Sequence, residues 1–349
     1  MSPDPPGSIE DARGTAEDAR GTAEDASGSA GDSPGSVQDL AQRRSDARGR
    51  RDWTAADRLR AEIEAAGWNV IDQGLDFHLE PARPPDVVQD GRVRFGSSSS
   101  VPSLLSEPAT EPLSVVLLAP ERREALDAFM TGFREDTPET SLVVVAQSPD
   151  ADMDDALAAA EATGATEVLR LARRSPPATA ANAGLRRASG SIVVLLDGAM
   201  QPSGDISGPL AVALEDPAVA LAGAFGLASV DIRRWTPAGP GAVDALGWGA
   251  LAFRREDFVA RGPLDERFQL GRWLGPWWSL MLRDEGPDAP ARGALAVPLP
   301  LGAVAAPEDG PSLARAAKRD FYRLIDRFGH RYDLLRSAEP SARLANEVR

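Results

Sequence analysis

The stretch AANAGLRRASGSIVVLLDGAMQPSGD, residues 180–205, constrains the fold more than any other part of the chain. It reads as the end of a helix, a glycine turn, a buried strand and a carboxylate delivered at the strand's end. Residues 191–196 run apolar and β-branched, the pattern of a strand covered on both faces in a parallel sheet rather than of a half-exposed hairpin strand. Open α/β sheets bind ligands in the crevice beyond the carboxyl ends of their strands, so Asp197 stands where such a sheet meets a nucleotide or a metal. The competing assignment is a cap for the turn that Gly198 makes.

The surrounding pattern repeats the same logic. Strands are expected over 113–118, 142–146, 167–171 and 191–196, with helices over 121–133, 154–163 and 178–188 between them, and this alternation predicts βαβ crossovers and a parallel sheet. Further on come a short helix over 209–215, strand-like runs over 219–222 and 245–253, a helix in WLGPWWSLMLRDEG and a last strand over 295–298. Ser312 opens a final amphipathic helix, in which Leu313, Ala317, Phe321, Leu324, Ile325 and Phe328 share a face and which Gly329 stops.

Asn182, Gly184, Ala188, Gly190, the apolar strand, Asp197 and Pro202 together resemble the central block of family 2 glycosyltransferases of the GT-A fold. The resemblance implies an α/β, GT-A-like (nucleotide-diphospho-sugar transferase) fold, with a mixed, mainly parallel sheet and flanking helices. It also implies transfer of a sugar from a nucleotide-sugar donor to an acceptor hydroxyl. The family carries D-x-D after the strand, and here the triplet is Asp197, Gly198 and Ala199. The first acid is retained; Ala199 replaces the second, which holds manganese or magnesium in the family. The expectation is therefore weak nucleoside diphosphate binding with little dependence on a divalent metal. Pro120 matches the turn after the first strand, whereas Ala146 and Gln147 fall where paired acids hold the nucleobase, with Asp150 and Asp152 nearby.

A second block, from Phe253-Arg254-Arg255-Glu256 to Gly262-Pro263-Leu264-Asp265-Glu266-Arg267-Phe268, resembles the acceptor side of the same family. It implies Asp265 and Glu266 as the surviving catalytic-side acids. It also implies Asp197, Asn182, Gly184, Arg254 and Arg255 as donor-binding residues, with Arg254, Arg255 or Arg267 in place of the metal. In the family the next helix opens with an acidic pair that includes the general base. Here Leu274 and Gly275 fall at those positions, and no carboxylate lies between Glu266 and Asp284. Trp273, Trp277 and Trp278 occupy the region; aromatics at helical spacing read as core first and as sugar platforms second.

The rest of the chain divides by composition. Residues 1–36 carry eight acids against Arg13 and Arg20, with a GTAEDA repeat, and read as a disordered acidic tail. Residues 37–81 read as a helical hairpin followed by two short strands, with Thr54 and Asp57 in a capping-box arrangement and Gly67 as the stop. The string from Ala47 to Asp72 resembles the C-terminal segment of cysteinyl-tRNA synthetases, without the synthetase's active-site motifs. Its arginines, Arg43, Arg44, Arg48, Arg50, Arg51, Arg58 and Arg60, are either an RNA- or protein-docking face or a solvated one balanced by neighbouring acids, the latter being favoured. Residues 82–112 read as a Pro- and Ser-rich linker with a local hairpin at Asp90-Gly91. The glycosyltransferase-like domain is expected over 113–335 and a C-terminal tail over 336–349.

The net charge of −15 opposes DNA or an anionic membrane as a partner. There are no cysteines and only two histidines, which removes disulfides, thiolate chemistry and histidine-rich metal sites. Without an apolar run near ~20 residues or a basic-then-apolar start, the expectation is a cytoplasmic protein with no transmembrane segment. Two functions stand at this point: a glycosyltransferase acting on an unknown acceptor, and a relative that has lost the chemistry and binds nucleotides or scaffolds.

Overall fold

In the computed structural model of the chain, residues 34–73, 76–81, 84–137, 140–286, 288–303 and 311–336 are described. They form two compact units, one up to Ala82 and one from Arg83 onward. The tail expected over 1–36 lies outside the described residues, except that Pro34 opens the first helix. Among the described residues no helix is long and apolar enough to cross a membrane.

The smaller unit packs α1 (Pro34–Gly49) on α2 (Trp53–Ala65) and adds the antiparallel pair β1 (Trp68–Gln73) and β2 (Asp76–Pro81). Val37, Ala41, Ile63 and Val70 are its buried centre. The cap of α2 is Asp52, whose carboxylate accepts from the Ala55 N–H at 3.0 Å, rather than the expected Thr54. Gly67 turns the chain out of the helix at φ 80°, a conformation that costs glycine little.

The larger unit begins with a hairpin, β3 (Val87–Gln89) and β4 (Arg92–Arg94), joined by Asp90 and Gly91 at φ 52° and 73°, as the Asp-Gly pair predicts. The flanking segment read as a linker is pinned along the body. Phe95 bridges Leu171, Arg94 pairs with the buried Asp154, Arg186 Nε donates to the Val101 carbonyl at 2.8 Å, and Arg255 donates to the Leu104 and Glu107 carbonyls. Pro and Ser keep this segment out of regular structure, and arginines from later in the chain satisfy its backbone instead.

The main sheet is laid down by β5 (Glu111–Leu118), α3 (Arg123–Asp136), β6 (Ser141–Gln147), α4 (Ala151–Glu161), β7 (Thr166–Leu171), α5 (Pro177–Leu185) and β8 (Gly190–Asp197). After β9 (Met200–Pro202) and α6 (Ser207–Ala213) come β10 (Val219–Gly223), β11 (Gly226–Ala228), β12 (Thr236–Ala238), β13 (Gly241–Val243), β14 (Ala245–Leu246) and β15 (Ala250–Arg254). The chain closes with α7 (Arg255–Arg261), α8 (Gly271–Arg283), β16 (Gly293–Ala296), β17 (Leu301–Ala303) and α9 (Pro311–Phe328). The eight-stranded order is β13-β16-β10-β15-β8-β5-β6-β7. The pairs among β8, β5, β6 and β7 are parallel, as is β10 with β16, while β15 is antiparallel to both its neighbours.

The central strands are apolar throughout because helices cover both faces. Val116, Val143 and Leu195 face α5 and the α8–α9 layer, and Val115, Val144 and Leu196 face α3, α4 and α6. Each such side chain contributes about 1.5–3 kcal/mol when fully buried. The expected strand over 245–253 is divided. Ala245–Leu246 pairs with β11 in a small separate sheet, Gly247-Trp248-Gly249 form a loop, and β15 rejoins the main sheet.

Candidate functional site

The order of the strands fixes where a site can form. From β5 the sheet continues through β6 and β7 on one side and through β8 on the other, so a crevice opens where β5 and β8 end side by side. Leu118 and Asp197 are register partners at those ends. A cleft of about 880 Å³ lies there. Its walls are the turn after β5 (Leu118 to Arg122), the turn after β6 (Ala146 to Asp150), the entry to α5 (Arg174, Ser175, Pro177) and Asp197 to Ala199 after β8.

Asp197 is half-buried and fixed on both oxygens. Its Oδ1 accepts from the Ala199 N–H at 3.0 Å, and its Oδ2 accepts from Trp248 Nε1–H at 2.9 Å. The carboxylate caps its own turn and also lines the cleft. Gly198 is required here: a Cβ would lie 2.4 Å from the Pro120 nitrogen and 2.5 Å from the Leu118 carbonyl oxygen. Trp248 is seated by glycines too, since a Cβ at Gly271 would meet its ring at 2.5 Å and one at Gly275 its backbone nitrogen at 2.6 Å. It thus ties the end of β8 to the first turns of α8.

The remaining walls are ordered by polar contacts. Gln147 Oε1 accepts from the Ser175 N–H at 2.8 Å and from its hydroxyl at 3.0 Å. Asp150 caps α4, accepting from the Met153 N–H at 2.9 Å. Ser148 stands at φ 48°, a left-handed conformation that costs a non-glycine residue of order 1–3 kcal/mol and clusters at functional sites. Glu121 and Arg174 form an ion pair between the turns after β5 and β7.

Most of the other residues expected at the donor and acceptor sites lie away from the cleft. Asn182 is buried, and its side chain bonds the Leu264 backbone in both directions at 2.9 Å and donates to Glu266 at 2.9 Å. Glu266 also accepts from the Ser98 and Thr179 hydroxyls, so its carboxylate joins three segments of the fold. Gly184 is a packing position, where a Cβ would come within 2.3 Å of Val116. Asp265 receives Arg267 Nε and Nη2 at 2.9 and 2.7 Å. Burial pushes its carboxyl up, but the hydrogen bonds and charge of Arg267 prevail and hold it below the usual range, which makes it a weak base.

Arg254 and Arg255 are at the wrong end of the sheet. Because β15 runs antiparallel to β8, Arg254 is the partner of Ile192, roughly 16 Å along the strand from Asp197 at ~3.3 Å per residue. Arg254 donates to the Val219 and Asp216 carbonyls and Arg255 to that of Ala188, beside a separate hollow of about 450 Å³.

A divalent metal, which the fold implies, finds no set of ligands in this cleft. Asp197 is the one acid that the end of β8 supplies, Ala199 offers no ligand, and among the described residues no three acids or histidines gather as a metal site. At α8, where the resemblance calls for an acidic pair, the first turn carries no acid. Asp320 of α9 supplies a carboxylate there instead. It is fully buried, and its Oδ2 accepts from the N–H groups of Gln269 and Leu270 at 2.9 Å each. A charge within the apolar face of the last helix, between Ala317 and Leu324, was the sequence signal for it. Trp277 and Trp278 are core: they stack on each other, Trp278 meets Phe253 and Phe258 edge-on, and Trp277 lies tilted against Phe268.

No protein-family model and no curated protein matches the sequence. In fold the chain is similar to GalNAc-T7, solved with UDP, GalNAc and Mn²⁺, with a TM-score of 0.50 and 16% identity over 63% of this chain. That likeness spans 48% of the GalNAc-T7 chain, so this chain covers about half of it. Two further solved structures match more loosely. S. aureus TarS 1–349 in complex with UDP-GlcNAc gives a TM-score of 0.48 and 14% identity over 66% of this chain and 68% of that one. A mannosyltransferase from Pyrobaculum calidifontis in complex with GDP-Man and Mn²⁺ gives 0.43 and 18% over 72% and 79%. The larger unit has the GT-A glycosyltransferase fold.

Proposed function

We propose that the larger unit binds a nucleotide sugar in the cleft at the β5–β8 switch and, like family 2 glycosyltransferases, transfers the sugar to an acceptor hydroxyl. The observation that carries this reading is Asp197, a carboxylate fixed at the end of the central strand and lining the cleft in a sheet of the GT-A fold. Carboxylate oxygens keep further lone pairs after one hydrogen bond each, so Asp197 can still accept from ribose or sugar hydroxyls. In the transfer, the bond from the sugar's anomeric carbon to the phosphate oxygen breaks and the diphosphate leaves. A bond to the acceptor oxygen forms, and the acceptor proton passes to a base.

The base is the weak point of the transferase reading. Asp265 is paired with Arg267 and Glu266 with Ser98, Thr179 and Asn182, and the first turn of α8 has no acid. These observations favour a second reading, in which the cleft binds nucleotides without transferring the sugar. Incubating the full chain with a panel of uridine and guanosine diphosphate sugars, with manganese and with a chelator, separates the two. Release of nucleoside diphosphate supports the transferase. Saturable binding without release supports the second reading, and neither binding nor release contradicts both.

A further inference from the structure

Five charged side chains line the cleft: Glu121, Arg122, Asp150, Arg174 and Asp197. Four have partners, Glu121 and Arg174 in an exposed ion pair with each other, Asp150 at the cap of α4, and Asp197 with Ala199 and Trp248. The Arg122 side chain has no ion pair or hydrogen bond with any described residue. It stands four residues beyond Leu118, the register partner of Asp197, where the turn after β5 enters α3, and it lines the same cleft as Asp197. The other cations that the sequence offers for this role are spent elsewhere, Arg254 and Arg255 on carbonyls at the far end of β8 and Arg267 on Asp265.

We propose that Arg122 is the residue that receives the diphosphate of the bound nucleotide, supplying the positive charge that Ala199 leaves without a metal-holding acid. The inference rests on the nucleotide-sugar reading of the cleft and names the group that recognises the phosphates. A guanidinium is suited to this role, because its planar fork bonds two phosphate oxygens at once and stays charged at any working pH. An unpaired arginine on an acidic protein is also a local exception to a field that repels anions, so its loss weakens phosphates and leaves the nucleoside untouched. If transfer occurs, the same charge meets the oxygen that becomes negative as the sugar–phosphate bond breaks.

Calorimetric titration of the full chain with uridine, guanosine and their diphosphates, in chelator, tests the assignment. Wild type binds the better diphosphate about tenfold or more tightly than its nucleoside, the worth of one charge-assisted contact. Arg122→Ala brings the two affinities together while nucleoside binding is unchanged, and Arg122→Lys restores part of the difference. Because Arg122 is exposed, all three proteins unfold at the same temperature. A diphosphate preference that survives Arg122→Ala beside intact nucleoside binding overturns the assignment alone, as does a preference that appears only with manganese. Absence of both nucleoside and diphosphate binding in wild type overturns the donor-site reading itself, and this assignment with it.

Discussion

Asp197 is held by two neutral donors, the Ala199 backbone N–H and the Trp248 indole, and the second can be removed without touching the carboxylate. In Trp248→Phe the ring still packs on Gly271 while the N–H to Asp197 is lost. The expected result is a loss of about 1 kcal/mol in nucleotide affinity, with a small change in melting temperature, read by calorimetry and by thermal unfolding. Gly198→Ala acts differently, because the added methyl meets the backbone of Leu118 and Pro120 rather than a flexible side chain. It should cost about 1–3 kcal/mol in urea unfolding and displace the wall of the cleft. The place of Asp197 at the end of β8 and in the cleft was legible in the sequence, because an apolar run that stops at an acid and a glycine marks the strand's end. Trp248 was not, since its partner is 51 residues away and only the folding of β15 against β8 brings them together. The two arginines before α7 misled for the same reason: a motif gives the strand's end but not its direction in the sheet.

The α8 helix is governed from outside itself. The chain entering it is held by Asp320, through the Gln269 and Leu270 N–H groups, and it ends at Asp284, which receives Arg331 Nη1 and Nη2 at 2.7 and 2.9 Å. Asp320→Ala strips two N–H groups and Arg323 of their acceptor and should destabilise by about 2–4 kcal/mol, whereas Asp320→Asn keeps an acceptor and costs less. The two acids respond oppositely to pH. Burial pushes Asp320 above the usual carboxylate range, despite the N–H groups and Arg323 that pull it down. Arg331 holds Asp284 below that range against the opposing effect of burial. A depressed carboxyl stabilises the fold above its unfolded value of about 4, and that contribution is lost as the pH falls through the lower folded value. Urea unfolding of Arg331→Gln should show about 1 kcal/mol less stability at pH 7 and a flatter loss below pH 4 than wild type. Element types were legible from periodicity, including the apolar face of α9. The contact before α8 was not, because the acid that binds the Leu270 N–H lies in α9, 50 residues further along.

At the scale of the molecule, the residues before β5 are part of the body. Arg94, Asp154 and Arg170 form a buried charge cluster that locks the hairpin β3–β4 to the edge strand β7. Starting the chain at Leu113 instead of Arg83 removes Arg94, unpairs part of that cluster and uncovers the sheet edge, so its melting temperature should fall by several degrees or the protein should aggregate. Equal melting temperatures would show that the segment is dispensable. The Pro and Ser composition hid this role, because irregular backbone fixed by distant arginines has no local signature. The alternation of strands and helices made the sheet legible, while the order that puts β15 and β10 beyond β8 came only with the fold. The switch point comes from β8 returning to the side of β5 away from β6 and β7, and with it comes the claim that Asp197 anchors a nucleotide-sugar site that works without a divalent metal. The most direct measurement is calorimetric titration of uridine and guanosine diphosphate sugars into the full chain and into Asp197→Ala, each in chelator and in manganese. Wild type should bind one of them saturably in chelator, with little change on adding manganese, and the variant should lose at least about a tenfold in affinity. Equal affinity in Asp197→Ala, or binding by wild type only when manganese is present, would contradict the claim.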